Sequence, residues 1–268
     1  MPLPQDERIL ALANDLLQQF ARLFGLHPGF RAAHAKGAML TGSFTPASGA
    51  QVLTRAPHIT RERTPVTVRF SNSTGLPQIP DSAPEANPRG MAIRFHLADH
   101  VHTDIVSHST DGFPTRDGAE FLALLQEIAA SGPDVPSPKP VEVFLGAHPA
   151  ALAFVKAPKP FPSSFARDTY FGVTAFSFAN AAGQEKFGRY RIVPELGNDY
   201  LSDAPMAALA PNYHFDEIRE RVGKGPIRFR ILVQVAAAGD VTDDATVHWP
   251  ESRPLVDLGT VELTEAVV

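Results

Sequence analysis

The chain has 268 residues, a net charge of -5 and no cysteine. That excludes disulfides, thiolate metal sites, iron–sulfur clusters and a cysteine nucleophile, and the acidic balance argues against a nucleic-acid surface. No apolar run approaches the about 20 residues that span a bilayer, and the first eight residues lack the layout of a secretory signal, so the expectation is a cytoplasmic protein.

The first predicted element is a helix over residues 5–24, where Ile9, Leu10, Leu12, Ala13, Leu16, Leu17, Phe20 and Phe24 form one apolar face. Pro28 and Gly29 follow, so it stops near Gly25. Such a helix clasps either its own domain or a partner subunit. From residue 38 the period changes to two, and candidate strands fall at 38–45, 66–72, 90–97, 102–109, 170–179, 186–194, 227–236 and 256–263. Helices are predicted at 117–130, with Asp117 as cap, at 147–157, and at 202–221, the last broken by Pro205 and Pro211. Pro133, Pro136, Pro138 and Pro140 read as a stiff extended connector. The 25 prolines are dispersed, which fits many ordered loops, and the 18 phenylalanines suit a barrel or sandwich core. The fold class is therefore α+β: one domain over residues 1–268, with an amphipathic helix at 1–25 and a closed antiparallel eight-stranded barrel with peripheral helical insertions at 26–268. No GxGxxG links a strand to a helix, which disfavours a dinucleotide fold.

Three places carry candidate chemistry. Arg31 and His34 point the same way if they share a helical turn but not if they lie on a strand. A neutral histidine among small residues is an acid/base candidate, and equally one that merely caps or packs a turn. In Val66–Ser71 the alternation puts Arg69 and Ser71 on one face and Val66, Val68 and Phe70 on the other. If the apolar face packs under outer helices, Arg69 points into the barrel, sharing an internal cavity with His34 and needing a partner such as a carboxylate. On a strand, His100, His102, Asp104 and His108 share a face, a donor set suited to zinc or iron, unless Asp99-His100 is a hairpin turn.

Taken together, Arg31-Ala32-Ala33-His34-Ala35-Lys36-Gly37, Val68-Arg69-Phe70-Ser71, Pro88-Arg89-Gly90 with Ala92 and Phe95, and Asp104-Ile105-Val106 resemble the heme catalase superfamily in order and spacing. The smaller catalase-related peroxidases look closest. The likeness continues through Phe113, Arg116-Asp117, Phe121, Gly172 to Phe176, Val247-His248-Trp249-Pro250 and Leu258-Gly259, covering roughly residues 25–263. It implies a barrel enclosing heme b, with His34 as distal acid/base residue, Ser71 bonded to it, Arg31 and Arg69 on the heme propionates, and Phe121 over the distal face. It also implies a small-molecule peroxide as substrate and, in many members, a homo-oligomer.

Two departures shape the expectation. His108 stands where the family carries a distal asparagine. The family's iron-binding tyrosine lies on a helix beyond the Trp-Pro and Leu-Gly strand, and none of Tyr170, Tyr190, Tyr200 and Tyr213 matches it, so a non-standard or missing proximal ligand is expected. The alternative is a heme-free protein of the same fold, using His34 and His108 for acid/base chemistry or binding an apolar small molecule. A third reading is a non-heme metal enzyme at His100, His102, Asp104 and His108.

Overall fold

Eight strands close on themselves in sequence order, each antiparallel to its neighbours. They are β1 (Gly37–Pro46), β2 (Thr64–Ser71), β3 (Gly90–Ala98), β4 (Val101–His108), β5 (Tyr170–Ala179), β6 (Glu185–Pro194), β7 (Ile227–Val235) and β8 (Leu255–Ala266). The computed structural model describes residues 4–202 and 209–267. Its helices are α1 (Glu7–Phe24), α2 (Pro57–Thr60), α3 (Gly118–Ala129), α4 (Pro140–Ala147), α5 (Pro149–Lys156) and α6 (Tyr213–Lys224). Helices α3 to α5 are inserted between β4 and β5, where the seam of the barrel narrows to the single pairing His108 with Phe171.

The alternating apolar residues of the strands fill the barrel interior. Phe70 sits at its centre, with ring centroids 5.3 Å from Phe165 and 5.9 Å from Phe229. Burying a phenylalanine fully is worth about 1.5–3 kcal/mol, so this packed interior is a principal source of stability. It also corrects the expectation of an internal cavity. Val66, Val68 and Phe70 face the barrel axis and are fully covered, so Arg69 and Ser71 face outward. Among the described residues, the side chains of this core fill the barrel interior.

The strand positions follow the sequence expectation to within a few residues. Helix α1 is capped by Asp6, whose carboxylate accepts from the Arg8 N–H, and ends at Gly25 with φ of 81°. It clasps its own domain: Gln19 Nε2 donates to the Leu125 carbonyl of α3 at 3.1 Å, and Phe20 meets Phe121 edge-on. Part of the proline-rich connector is helical. Pro140 occupies the first turn of α4, where its missing N–H costs nothing, and the Glu142 carboxylate accepts from the Lys139 N–H at 2.7 Å. The helix expected at 202–221 starts after Pro211, at Tyr213; Pro205 lies outside the described residues. Among the described residues no helix is long and apolar enough to cross a membrane.

Candidate active site

The site is built on the outside of the barrel from one rung of the sheet. Strand pairing aligns Gly37, Ser71, Gly90, His108 and Phe171 across β1 to β5. Residues in register share a face, so Ser71 and His108 project outward on either side of Gly90. The bare backbone of Gly90 leaves a gap between them, and the His34 ring occupies it.

His34 reaches that gap from the loop after α1, where Arg31 to His34 are neither helix nor strand. Its backbone is left-handed, with φ of 53°, a region that a residue with a side chain occupies only when its surroundings enforce it. Three bonds do so. The His34 N–H donates to the Ser73 carbonyl at 3.2 Å, Arg69 Nη2 donates to the His34 carbonyl at 2.7 Å, and ring Nδ1 meets Ser71 Oγ at 3.1 Å. Burial pushes the imidazole pKa down to about 4; Arg69 and then Arg31 add to the shift, while a bond to the Asn72 backbone opposes it. The ring is neutral at pH 7. In the tautomer that donates Nδ1–H to Ser71 Oγ, Nε2 is left as a base.

His108 is the second neutral imidazole. Its pKa also falls to about 4, chiefly from burial and then from His34, against the pull of Asp111. Nδ1 accepts from the Thr110 N–H at 3.4 Å, which puts the ring proton on Nε2, a buried atom without a partner. With His34 protonated at Nδ1, the two histidines offer complementary nitrogens, one acceptor and one donor.

The next outward rung is Met39, Arg69, Ala92 and Val106, and the one after it is Thr67, Arg94 and Asp104. Together with Arg31 they line an open groove of about 280 Å³ beside the histidines. The small residue Ala92 on β3 lies in its trough. Met39 and Val106 remain 44% and 75% exposed, an apolar floor flanked by the cations Arg31 and Arg69. Burial, followed by the charge of Arg31, lowers the Arg69 pKa to about 10. Arg69 finds backbone carbonyls where a carboxylate partner was expected.

Six residues were expected at the site, and five assemble: Arg31, His34, Arg69, Ser71 and His108. Phe121 does not line the groove. It packs between Phe20 and Phe113, with centroids 6.2 and 5.0 Å away, and only Phe113 approaches His108, at 6.1 Å. The metal reading is overturned: His100 turns the hairpin with φ of 59°, Asp104 is held by Nε and Nη2 of Arg94, and among the described residues no three His, Asp or Glu side chains converge on a metal position. The four tyrosines lie elsewhere. Tyr170 donates to the Phe165 carbonyl inside the barrel, Tyr190 packs against Phe176 and Phe178, Tyr200 donates to Asp168 and Tyr213 to Pro162. Sequence reading placed Gly90 and Ala92 only among the residues that carry the resemblance, with no role at the site, and did not single out Met39. The usable signal was a pair of small residues two apart on one strand.

Residues 16–268 match the protein-family model described as Catalase. The chain is 35% identical over 243 residues to a "Catalase-related peroxidase" of Mycolicibacterium paratuberculosis, covering 90% of this chain and 76% of the relative. It is 31% identical over 260 residues to a protein of the same name from Synechococcus elongatus, covering 94% and 75%. A fungal catalase structure superposes with a TM-score of 0.77 at 22% identity, over 99% of this chain and 54% of that one. The chain thus spans about half the length of the solved catalase it matches. On the extent of the family match and on the identity to these relatives, the chain belongs to the catalase family.

Proposed function

We propose that the chain is a heme-dependent oxidoreductase acting on hydrogen peroxide or an organic hydroperoxide, with His34 as its acid/base residue. The observation that carries the reading is the meeting beside Gly90 of two half-buried histidines, one bonded through Nδ1 to Ser71 and the other with an unpartnered Nε2. Relatives named catalase-related peroxidase support the substrate class.

The groove suits heme b in its chemistry. An exposed apolar floor at Met39 and Val106 matches a flat macrocycle, and Arg31 and Arg69 match its carboxylates. Bound there, heme supplies the redox-active iron against which an oxygen–oxygen bond is broken. None of the four tyrosines lines the groove.

The residues of the chain handle the proton. His34 Nε2 takes it from the hydroperoxide O–H and returns it to the other oxygen, which leaves as water or an alcohol. Ser71 holds the ring in the tautomer that keeps Nε2 free. His108 Nε2–H hydrogen-bonds the peroxide during the transfer.

The test is the visible spectrum and peroxide turnover of protein made with added heme precursor. The expected result is a Soret band at one heme per chain and a turnover that His34→Ala lowers roughly 100- to 10,000-fold. A chain that refuses hemin, or a His34→Ala variant at full rate, overturns the proposal.

A further inference from the structure

We propose that Arg69 is a positioning residue for His34, clamping the left-handed backbone of the histidine through its carbonyl oxygen. Four observations converge. First, His34 holds a φ of 53° without being glycine, so some contact must resist its relaxation to an ordinary conformation. Second, Arg69 Nη2 gathers two successive carbonyls, those of His34 at 2.7 Å and Ala35 at 3.3 Å, which an extended chain points in opposite directions. Third, the space for this guanidinium is made by Gly37, where a β-carbon would collide with Arg69 Nη2 and Cζ. Gly37 is outside the left-handed region, so its missing side chain serves space alone. Fourth, among the described residues Arg69 has no carboxylate partner, and its bonds go to this backbone.

Arg69 also lines the groove. One rigid planar group therefore joins the cationic edge of the groove to the His34 backbone. Both bonds leave one nitrogen, which the rest of the planar guanidinium holds in place; lysine keeps the charge but carries it on a flexible stem without that rigid plane.

The inference rests on the reading of His34 as proton carrier for its meaning, but its test needs neither cofactor nor turnover. The full-length, cofactor-free chain is labelled with ¹⁵N and its imidazole and amide signals are followed in wild type, Arg69→Lys and Arg69→Gln. Wild type is expected to show His34 in one tautomer, protonated at Nδ1, with a protected amide. Both variants are expected to show mixed tautomers and at least tenfold faster exchange of the His34 amide, with exchange at Ile231, on the far wall of the barrel, unchanged. Adding His34→Gly to Arg69→Lys relieves the strained φ, so the exchange of the Ala35 amide should slow back towards wild type. A single tautomer with wild-type amide protection in Arg69→Lys overturns the inference, and that variant decides alone if Arg69→Gln does not fold. A protein that refuses heme but shows the tautomer mixture would overturn the proposed function and leave the clamp standing.

Discussion

Gly90 lies directly under the His34 ring: a β-carbon at Gly90 would stand 2.9 Å from His34 Nδ1 and 2.6 Å from Ser71 Oγ. Both distances are shorter than a side-chain carbon tolerates, so the His34 and Ser71 pair exists only because this position on β3 is bare. Gly90 has an ordinary strand conformation, where alanine is easier to order than glycine. Gly90→Ala is therefore expected to leave the barrel folded, with a thermal midpoint near wild type, while pushing the ring off Ser71. Peroxide turnover should fall at least tenfold. A variant that melts early would instead make Gly90 a packing residue.

The strands were legible because their alternation is strict, and Val66, Val68 and Phe70 could be paired with Arg69 and Ser71 as opposite faces. Which face carries the site was not legible. Alternation is symmetrical, and only closure of the barrel decides that Phe70 turns inward and Arg69 outward. The rung that brings Ser71, Gly90 and His108 together depends on pairing among three strands, a nonlocal fact. The left-handed backbone of His34 left no local mark either, since nothing about Ala33-His34-Ala35 demands it. Helix α4 was missed because a proline run masks a helix when its last member occupies the first turn.

Buried neutral histidines make the fold acid-sensitive. Burial leads the shift at each of four: His34, His58 and His108 fall from 6.5 to about 4, and His214 to about 3. Because the unfolded chain binds these protons first, the stability is intact above pH 6.5 and is lost as pH falls towards 4. Each shift to about 4 is worth roughly 3 kcal/mol, and that of His214 roughly 5 kcal/mol. Asp168, which burial raises to about 6, gains stability over part of that window and offsets one histidine. Chemical denaturation at pH 7 and pH 4.5 should show a marked loss. His58 stacks on Phe95 at 4.4 Å, away from the site, so His58→Phe should move the acid midpoint to lower pH and leave turnover unchanged. An unmoved midpoint would count against a neutral buried His58.

His108 sets function against stability. Its buried Nε2 has no partner, and an unsatisfied buried donor costs about 1–3 kcal/mol. His108→Leu is expected to raise the melting temperature and to lower peroxide turnover roughly 100-fold, the usual loss when a donor at the reacting oxygen is removed. His108→Asn keeps a donor on a shorter arm and should retain turnover to within about tenfold. Equal rates in the Leu and Asn variants would show that the histidine donates nothing to the substrate.

Val106 tests the groove itself. Its side chain stands on the outer rung with Met39, Arg69 and Ala92 and is 75% exposed, so a change there removes little buried surface. A fully covered neighbour such as Phe70 would cost about 3–5 kcal/mol on truncation to alanine. Val106→Glu is expected to leave the unfolding curve of the cofactor-free chain within about 0.5 kcal/mol of wild type. The carboxylate would stand on the apolar floor that a macrocycle must cover and would compete with the macrocycle's own carboxylates for Arg31 and Arg69. Hemin titration should therefore show a weakening of at least tenfold, while Val106→Ile binds as wild type. Heme uptake by Val106→Glu at wild-type affinity would place the cofactor somewhere other than this face of the barrel.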